Sequence, residues 1–380
     1  MDFASKRQKL DYNVIANRSL RFVDYPFLFI VFFLLMIGLV SMFSASALYA
    51  SNSGLSSSFY AKKQALYIIT GFGLMALAAK LDLERLRPWI KPLFAATLAL
   101  LAVTLLMPPV ANVRRWIPLG FMKLQMSEFA KPVLMLYLAD FFDRNASRIQ
   151  ADWRQLLKPF FAALLMFALI AVEPDLGTPA LLFGVMVFLF FAAGVKLRYI
   201  AGPLVLGIAT VFLLIITSPY RLARLKTFLD PQAAAAGAGF QLWQSLLAVG
   251  SGGWLGKGPG ASKLKLYIPE PHTDFIFPVV AEELGLVGGL LIVALFAALL
   301  VKGARIARNA PSMFTALAAL GLTLTLTLQA FFNMAMSTGL IPTKGIPLPF
   351  FSYGGSSIWA SMIMVGLILN VSAHRSAQKW

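Results

Sequence analysis

The chain has 380 residues, of which 59% are hydrophobic and only 13% charged, so it is too apolar for a soluble globular domain, where apolar residues make up about half. Its net charge of +17 would suit nucleic acid in a soluble protein, but here the charges sort by position along a series of apolar runs and no nucleic-acid partner is expected. Cysteine is absent, which excludes disulfide-supported loops and thiolate chemistry.

Residues 1–25 are polar and basic and read as a cytoplasmic N-terminal segment. The first apolar run, from Pro26 to about Leu48, exceeds the roughly 7–15 residues of a signal-peptide core, so it is a retained span although Ala45-Ser46-Ala47 imitates a cleavage site. Nine further runs follow, at about 62–79, 89–107, 127–142, 157–172, 178–195, 198–217, 275–301, 313–338 and 351–372. Such runs are the length that crosses a hydrocarbon core of about 30 Å. The expected fold is therefore an all-α polytopic membrane protein with about ten transmembrane helices. One membrane domain covers 26–372, a large outer loop covers 218–274 between the seventh and eighth helices, and 373–380 form a cytoplasmic tail. Basic residues such as Arg87, Arg148 and Arg305 fill every alternate short connection, the positive-inside pattern that places both termini in the cytoplasm.

Basic residues on the other side then need another reason. They are chiefly Arg114, Arg115 and Lys123; Arg221, Arg224, Lys226, Lys257, Lys263 and Lys265; and Lys344. The acids Glu128, Glu173, Asp175, Asp230, Glu270, Asp274, Glu282 and Glu283 also belong to the outer half. A cluster of this kind serves a negatively charged partner rather than topology.

The motifs carry this further, each beside a structural reading. In MSEFAKP (126–132), Ser127 is a helix cap and Glu128 with Lys131 an i, i+3 ion pair, although a buried lysine in a membrane is a functional suspect. In VEPDLGTP (172–179), Asp175 caps the next helix and Glu173 lies at the membrane edge. YRLARLKTFLDP (220–231) suits an amphipathic surface helix carrying Arg221 and Arg224. GSGGWLGKG (250–258) fails the phosphate-loop spacing, and its glycines supply positive φ and tight turns. In GLIPTKGIPLPFFSYGGSS (339–357), three prolines forbid a regular helix, and Lys344 is left unexplained.

YIPEPHTDFIFPVVAEELG (267–285) is the densest. Thr273 or Asp274 suits a helix N-cap, but Glu282 and Glu283 lie two turns deeper, about 12 Å along the axis, and need partners, for which Arg114, Arg115, Lys131 and Lys344 are available. That separation also disfavours a two-carboxylate glycosidase, whose acids stand about 5–9.5 Å apart.

With RRWIPLG (114–120), QMSEFAK (125–131), EPDLGT (173–178), GAGFQLWQSLLAVGSGGWLGKG (237–258), PEPHTDFIFPVVAEELG (269–285) and TGLIPTKGIPLPFFSYGGSS (338–357) in order along the chain, the sequence resembles the SEDS family of bacterial membrane proteins. The PTKG of 342–345 is more similar to the division member FtsW than to the elongation member RodA. The resemblance implies a peptidoglycan glycosyltransferase of the inner membrane at the septum, polymerising lipid II on the outer face into undecaprenyl-diphosphate-linked glycan. It implies a class B penicillin-binding protein and other division proteins as partners. Carried over by motif, the essential aspartate is Asp274 and the family's acid–lysine pair is Glu128 and Lys131.

Transfer from a lipid diphosphate to a sugar hydroxyl needs a base near the acceptor and cations on the leaving group. Asp274 is the expected base, and Arg114, Arg115, Lys131, Arg221, Arg224 and Lys344 are the expected diphosphate contacts. Glu128, His272 and Ser352 complete the expected substrate-binding set. Glu173, Asp175, Glu282 and Glu283 are expected to brace the site. No metal-binding residue is assigned, and a divalent cation, Mg2+ or Mn2+, would share the diphosphate task. The alternatives are a lipid II flippase and a RodA-type elongation polymerase.

Overall fold

The computed structural model describes residues 23–374 apart from 110–112, 121, 174, 234, 236, 238 and 269. Most of the N-terminal segment and of the tail, with Pro174 of the VEPDLGTP turn, lie outside the described residues. Among the described residues twelve α-helices are present: α1 (Tyr25–Asn52), α2 (Phe59–Lys80), α3 (Leu83–Leu106), α4 (Met126–Ala151), α5 (Leu157–Val172), α6 (Gly177–Ala192), α7 (Leu197–Ile216), α8 (Pro219–Leu229), α9 (Phe240–Ser251), α10 (Ile276–Arg308), α11 (Met313–Ser337) and α12 (Gly355–Ala373).

Each of the ten apolar runs coincides with a helix, and α8 and α9 fall inside the long 218–274 connection. Among the described residues six helices are both long and apolar enough to cross a membrane: α1, α3, α5 with the 3-10 turn ahead of it, α10, α11 and α12. The other four depart for readable reasons. Lys62, Lys63 and Gln64 enter the first turns of α2, and α4 carries Glu128, Lys131 and Asp140. α6 and the Leu197–Thr210 stretch of α7 are apolar but shorter.

The core is built around α11 and α12, whose apolar windows are 78% and 83% buried, against 28–39% for the other four spans. Helix α11 contains the alternating stretch Leu322–Leu328, which has a strand-like period. It is helical because the hydroxyls of Thr323, Thr325 and Thr327 donate to the carbonyls of Ala319, Gly321 and Thr323 at 2.7–2.9 Å, which satisfies them where no water is available. Among the described residues one two-stranded sheet is present: Trp116–Pro118 (β1) pairs antiparallel with Lys123–Gln125 (β2), and Ser356 Oγ ties this hairpin to the start of α12 through the Gln125 amide at 2.9 Å.

Two capping expectations are overturned. Helix α4 starts at Met126, so Ser127 lies inside its first turn and makes no cap; its hydroxyl instead accepts from Gln125 Nε2 at 3.0 Å. Helix α10 is capped by Phe275, not by Thr273 or Asp274.

Helix α10 is also broken, where the sequence suggested one continuous run. Gly285 adopts φ 68° and ψ −167°, conformations open to glycine and to few other residues. Across the break the helical bonds from Leu286 and Val287 to Glu282 and Glu283 are replaced. The Leu286 and Val287 amides donate to the Gly253 and Trp254 carbonyls at 2.9 and 3.2 Å, while the Lys257 and Gly258 amides donate to the Glu282 and Glu283 carbonyls, each at 3.0 Å. The glycine loop is thus spliced into the helix ladder. A Cβ on Gly285 would meet the Trp254 carbonyl oxygen at 2.5 Å. Gly285→Ala is expected to destabilise the outer loop by more than the ~1–3 kcal/mol cost of that backbone conformation alone, measured as a lower Tm and faster proteolysis within 250–266.

Candidate functional site

The end of the bundle where α4, α10 and α12 begin gathers the polar residues. Its floor is the 338–354 connection, irregular as its prolines require. Helix α11 holds it in place from beneath. Asn333 Nδ2 donates to the carbonyls of Asp274 at 2.9 Å and Ile346 at 2.7 Å, and Gln329 Nε2 donates to the Pro347 carbonyl at 2.9 Å. From the other side, the Tyr353 amide donates to the His272 carbonyl at 2.8 Å, and Gln64 Nε2 donates to the Ser352 carbonyl at 3.0 Å. Two strips of irregular backbone, 272–274 and 343–354, are thereby locked together.

Ser352 was expected to meet substrate. It is buried, and its hydroxyl donates to the Thr273 carbonyl at 2.7 Å while accepting the Leu348 amide at 2.8 Å. A hydroxyl so engaged braces the floor rather than a ligand. His272 is buried as well, with its ring centroid 4.8–5.6 Å from those of Tyr49, Tyr60 and Tyr353. Burial lowers its pKa to about 4, so the ring is neutral at ordinary pH.

Asp274 is partly exposed and its carboxylate caps no helix. Its pKa is pushed up to about 6, first by loss of hydration, against the pull of Arg115, with Asp175 raising it, Arg224 lowering it and Glu270 raising it. Arg115 and Arg224 are therefore close enough to act on it. Arg115 also donates to the Glu173 carbonyl at 2.7 Å, and Arg224 reaches from α8 to the Thr343 carbonyl at 3.1 Å. Lys344 joins them: burial first, then Arg224 and Arg221, lower its pKa, and Asp175 opposes this. Gly345 stands against the carboxylate, where a Cβ would lie 3.2 Å from Asp274 Oδ2.

Asp175 caps α6 from outside, its carboxylate accepting the Gly177 and Thr178 amides at 2.9 and 3.1 Å and the Thr178 hydroxyl at 2.8 Å. Glu173 is fully buried and accepts from Thr104 Oγ1 at 2.6 Å. Its pKa rises to about 7, mainly through burial.

The remaining expected residues lie apart from this cluster. Arg114 is exposed and donates to the Leu105 carbonyl at 3.1 Å. Glu128 and Lys131 form a 2.8 Å ion pair in which both are 2% exposed, and Lys131 Nζ donates to Gln329 Oε1 at 2.7 Å. The pair is linked to the floor through Gln329 and the Pro347 carbonyl.

Glu282 and Glu283 were expected to hold Arg114, Arg115, Lys131 or Lys344. Their cations are instead Lys257, 2.6 Å from Glu282, and Lys265, 3.6 Å from Glu283, because the break at Gly285 brings the glycine loop over them. Glu282 also accepts from Ser262 Oγ at 2.7 Å and from the Lys263 and Leu264 amides at 3.0 and 3.1 Å.

Sequence reasoning missed Gln329 and Asn333, though two amides at i, i+4 in an apolar span are a legible signal. Among the described residues, the buried side-chain atoms lacking a hydrogen-bond partner are Glu128 Oε2, Glu173 Oε2, His272 Nδ1 and Asn333 Oδ1. All four belong to this end. For a divalent cation, no three acidic or histidine side chains among the described residues converge on one point.

Comparison with known proteins places the chain among relatives of one family. The chain is 38% identical to stage V sporulation protein E of Bacillus subtilis, over 92% of this chain and 97% of that protein. It is 36% identical to the probable peptidoglycan glycosyltransferase FtsW of Trichlorobacter lovleyi, over 94% and 96%. Among solved structures, a chain of a peptidoglycan synthase complex that coordinates polymerization and crosslinking superposes with a TM-score of 0.78 at 28% identity, covering 94% of this chain and 99% of that one. The family model for the FtsW, RodA and SpoVE cell cycle proteins matches residues 25–377, and the chain belongs to that family.

Proposed function

We propose that this protein is a peptidoglycan glycosyltransferase that polymerises lipid II on the outer face of the bacterial inner membrane. One observation carries the reading. Asp274 caps no helix, has its pKa raised to about 6, and stands in the field of Arg115 and Arg224, with Lys344 beside Arg224. A sugar hydroxyl attacking the anomeric carbon that bears the lipid diphosphate must lose its proton, which the Asp274 carboxylate takes. The new C–O bond forms as the bond to phosphate breaks, and the diphosphate leaves with the electron pair. Arg115, Arg224 and Lys344, with Arg221 behind them, stabilise that charge. A divalent cation, Mg2+ or Mn2+, would supply further stabilisation of the diphosphate charge, and no step depends on it. The relatives named FtsW and the PTKG of 342–345 support a septal role in cell division. Strand formation from lipid II by purified protein, with and without its partner, tests the activity.

Ten spans with both termini cytoplasmic are part of the same reading, since the base must face the periplasmic side. Single cysteines at Arg87, Arg148 and Arg305 are expected to resist a membrane-impermeant thiol reagent in intact cells, whereas those at Lys123, Lys257 and Lys344 react. Protection of Lys257 and Lys344 would overturn the orientation. The partner is a class B penicillin-binding protein whose single span packs on an apolar face of the bundle and whose soluble part lies over the 218–274 region. Such a protein is expected to co-purify in mild detergent, and consistent failure to recover it would count against a division synthase.

A further inference from the structure

At the opposite end of the bundle a second polar site has no part in this chemistry. Lys131 and Arg148 lie on the same helix, α4, about 25 Å apart along the axis at 1.5 Å per residue, which separates the two ends. There a cavity of about 180 Å³ opens between α3, α4 and the start of α5, lined by Lys91, Tyr137, Asp140, Arg144, Arg148 and Lys158. Asp140 is the acid of this lining, and it is already neutralised. Its Oδ1 accepts from Arg87 Nε and Arg144 Nε, both at 2.8 Å, and Arg87 also holds Glu84 and Asp143. Lys91, Arg148 and Lys158 make no ion pair among the described residues. Three exposed cations from three separate elements thus face one cavity with no ion-pair partner among the described residues, so an anion entering it meets all three.

The depth of the cavity indicates where that anion comes from. Trp89, two residues before Lys91, is 66% exposed, and Trp153, ahead of α5, is 49% exposed. Exposed tryptophans on a membrane bundle mark the level of the lipid headgroups. Beyond them, Leu93, Leu157 and Phe161 are exposed apolar side chains on α3 and α5, a surface for acyl chains. Basic pockets between membrane helices on the cytoplasmic side hold anionic headgroups. We infer that this cavity binds the phosphate of an anionic phospholipid of the inner leaflet, with Lys91, Arg148 and Lys158 as its ligands and Trp89 and Trp153 at its rim.

The shared chemistry is a phosphate oxyanion, so the test separates lipid from soluble phosphate. The full chain in neutral detergent would be titrated with phosphatidylglycerol, with phosphatidylcholine, and with glycerol phosphate or inorganic phosphate, and bound lipid counted by native mass spectrometry. Phosphatidylglycerol should be retained at about one equivalent and phosphatidylcholine should not. The Lys91→Gln/Arg148→Gln/Lys158→Gln variant should weaken retention by about 100-fold, from about fivefold per cation near a membrane surface, and should keep its Tm in lipid-free detergent. A control triple at the same end but outside the cavity, Lys302→Gln/Arg305→Gln/Arg308→Gln, should retain the lipid. Equal losses in both triples, unchanged retention in the cavity triple, or equal retention of phosphatidylcholine would each overturn the site. Displacement of the lipid by millimolar glycerol phosphate or inorganic phosphate would overturn the lipid assignment and leave a soluble-phosphate pocket.

Discussion

Asp274→Asn is expected to abolish strand formation from lipid II, by about 10²–10⁴-fold or more, while leaving the protein folded. The size follows from removing a general base. Folding is spared because α10 is capped by Phe275, so asparagine forfeits no cap, and Asn333 holds Asp274 through its main-chain carbonyl rather than its side chain. The pH dependence gives a second reading of the same carboxylate. Its pKa is raised to about 6 in the folded protein, so the anion that acts as base accumulates as pH rises through that value, and wild-type activity should climb between about pH 5 and 7. The sign for stability is the reverse. A carboxyl whose folded pKa is raised favours the fold below its ordinary value near 4 and loses that contribution as pH rises through about 6. Asp274→Asn should therefore melt at or slightly above wild type at pH 8. Near wild-type polymerisation by the folded variant would refute the assignment. A variant that binds lipid II and melts normally but makes no strands would favour a polymerase over a flippase.

Lys131→Met carries the second large effect, and it falls on stability before activity. Lys131 and Glu128 are each 2% exposed, and Glu128 Oε2 already lacks a partner. Removing the ammonium leaves a buried carboxylate uncompensated, which costs about 3–5 kcal/mol. It also removes the bond that orients Gln329 toward Pro347. The single variant should show a large drop in Tm and a looser 342–349 segment by hydrogen exchange. Adding Glu128→Gln should recover most of the Tm, since it deletes the stranded charge. If the double variant also recovers strand formation, the pair is support; if it melts normally and stays inactive, the lysine acts on substrate directly.

Much of this protein was legible in the chain alone, for one physical reason: a bilayer imposes a simple code. Ten apolar runs located ten helices, because a backbone in hydrocarbon must satisfy its own polar groups and local sequence decides which residues do so. The prolines of 342–349 foretold irregular backbone, and the glycines of 250–260 foretold positive φ, found at Gly253, Gly256, Gly258 and Gly260. The crowding of acids near Asp274 likewise pointed to the end of the molecule where the candidate site is built. Partner choice was not legible. Glu282 was as available to Lys131 as to Lys257 until the break at Gly285 folded the glycine loop over it, and nothing local in VVAEELG distinguishes a helix that continues from one whose hydrogen bonds are taken over by residues 253–258. Ser352 looked like a ligand because a hydroxyl beside glycines is ambiguous, and tertiary packing gave both its bonds to Thr273 and Leu348. Sequence sets which groups must find partners inside a membrane. Which partners they find depends on contacts between residues tens to hundreds of positions apart, and those the folded bundle alone decides.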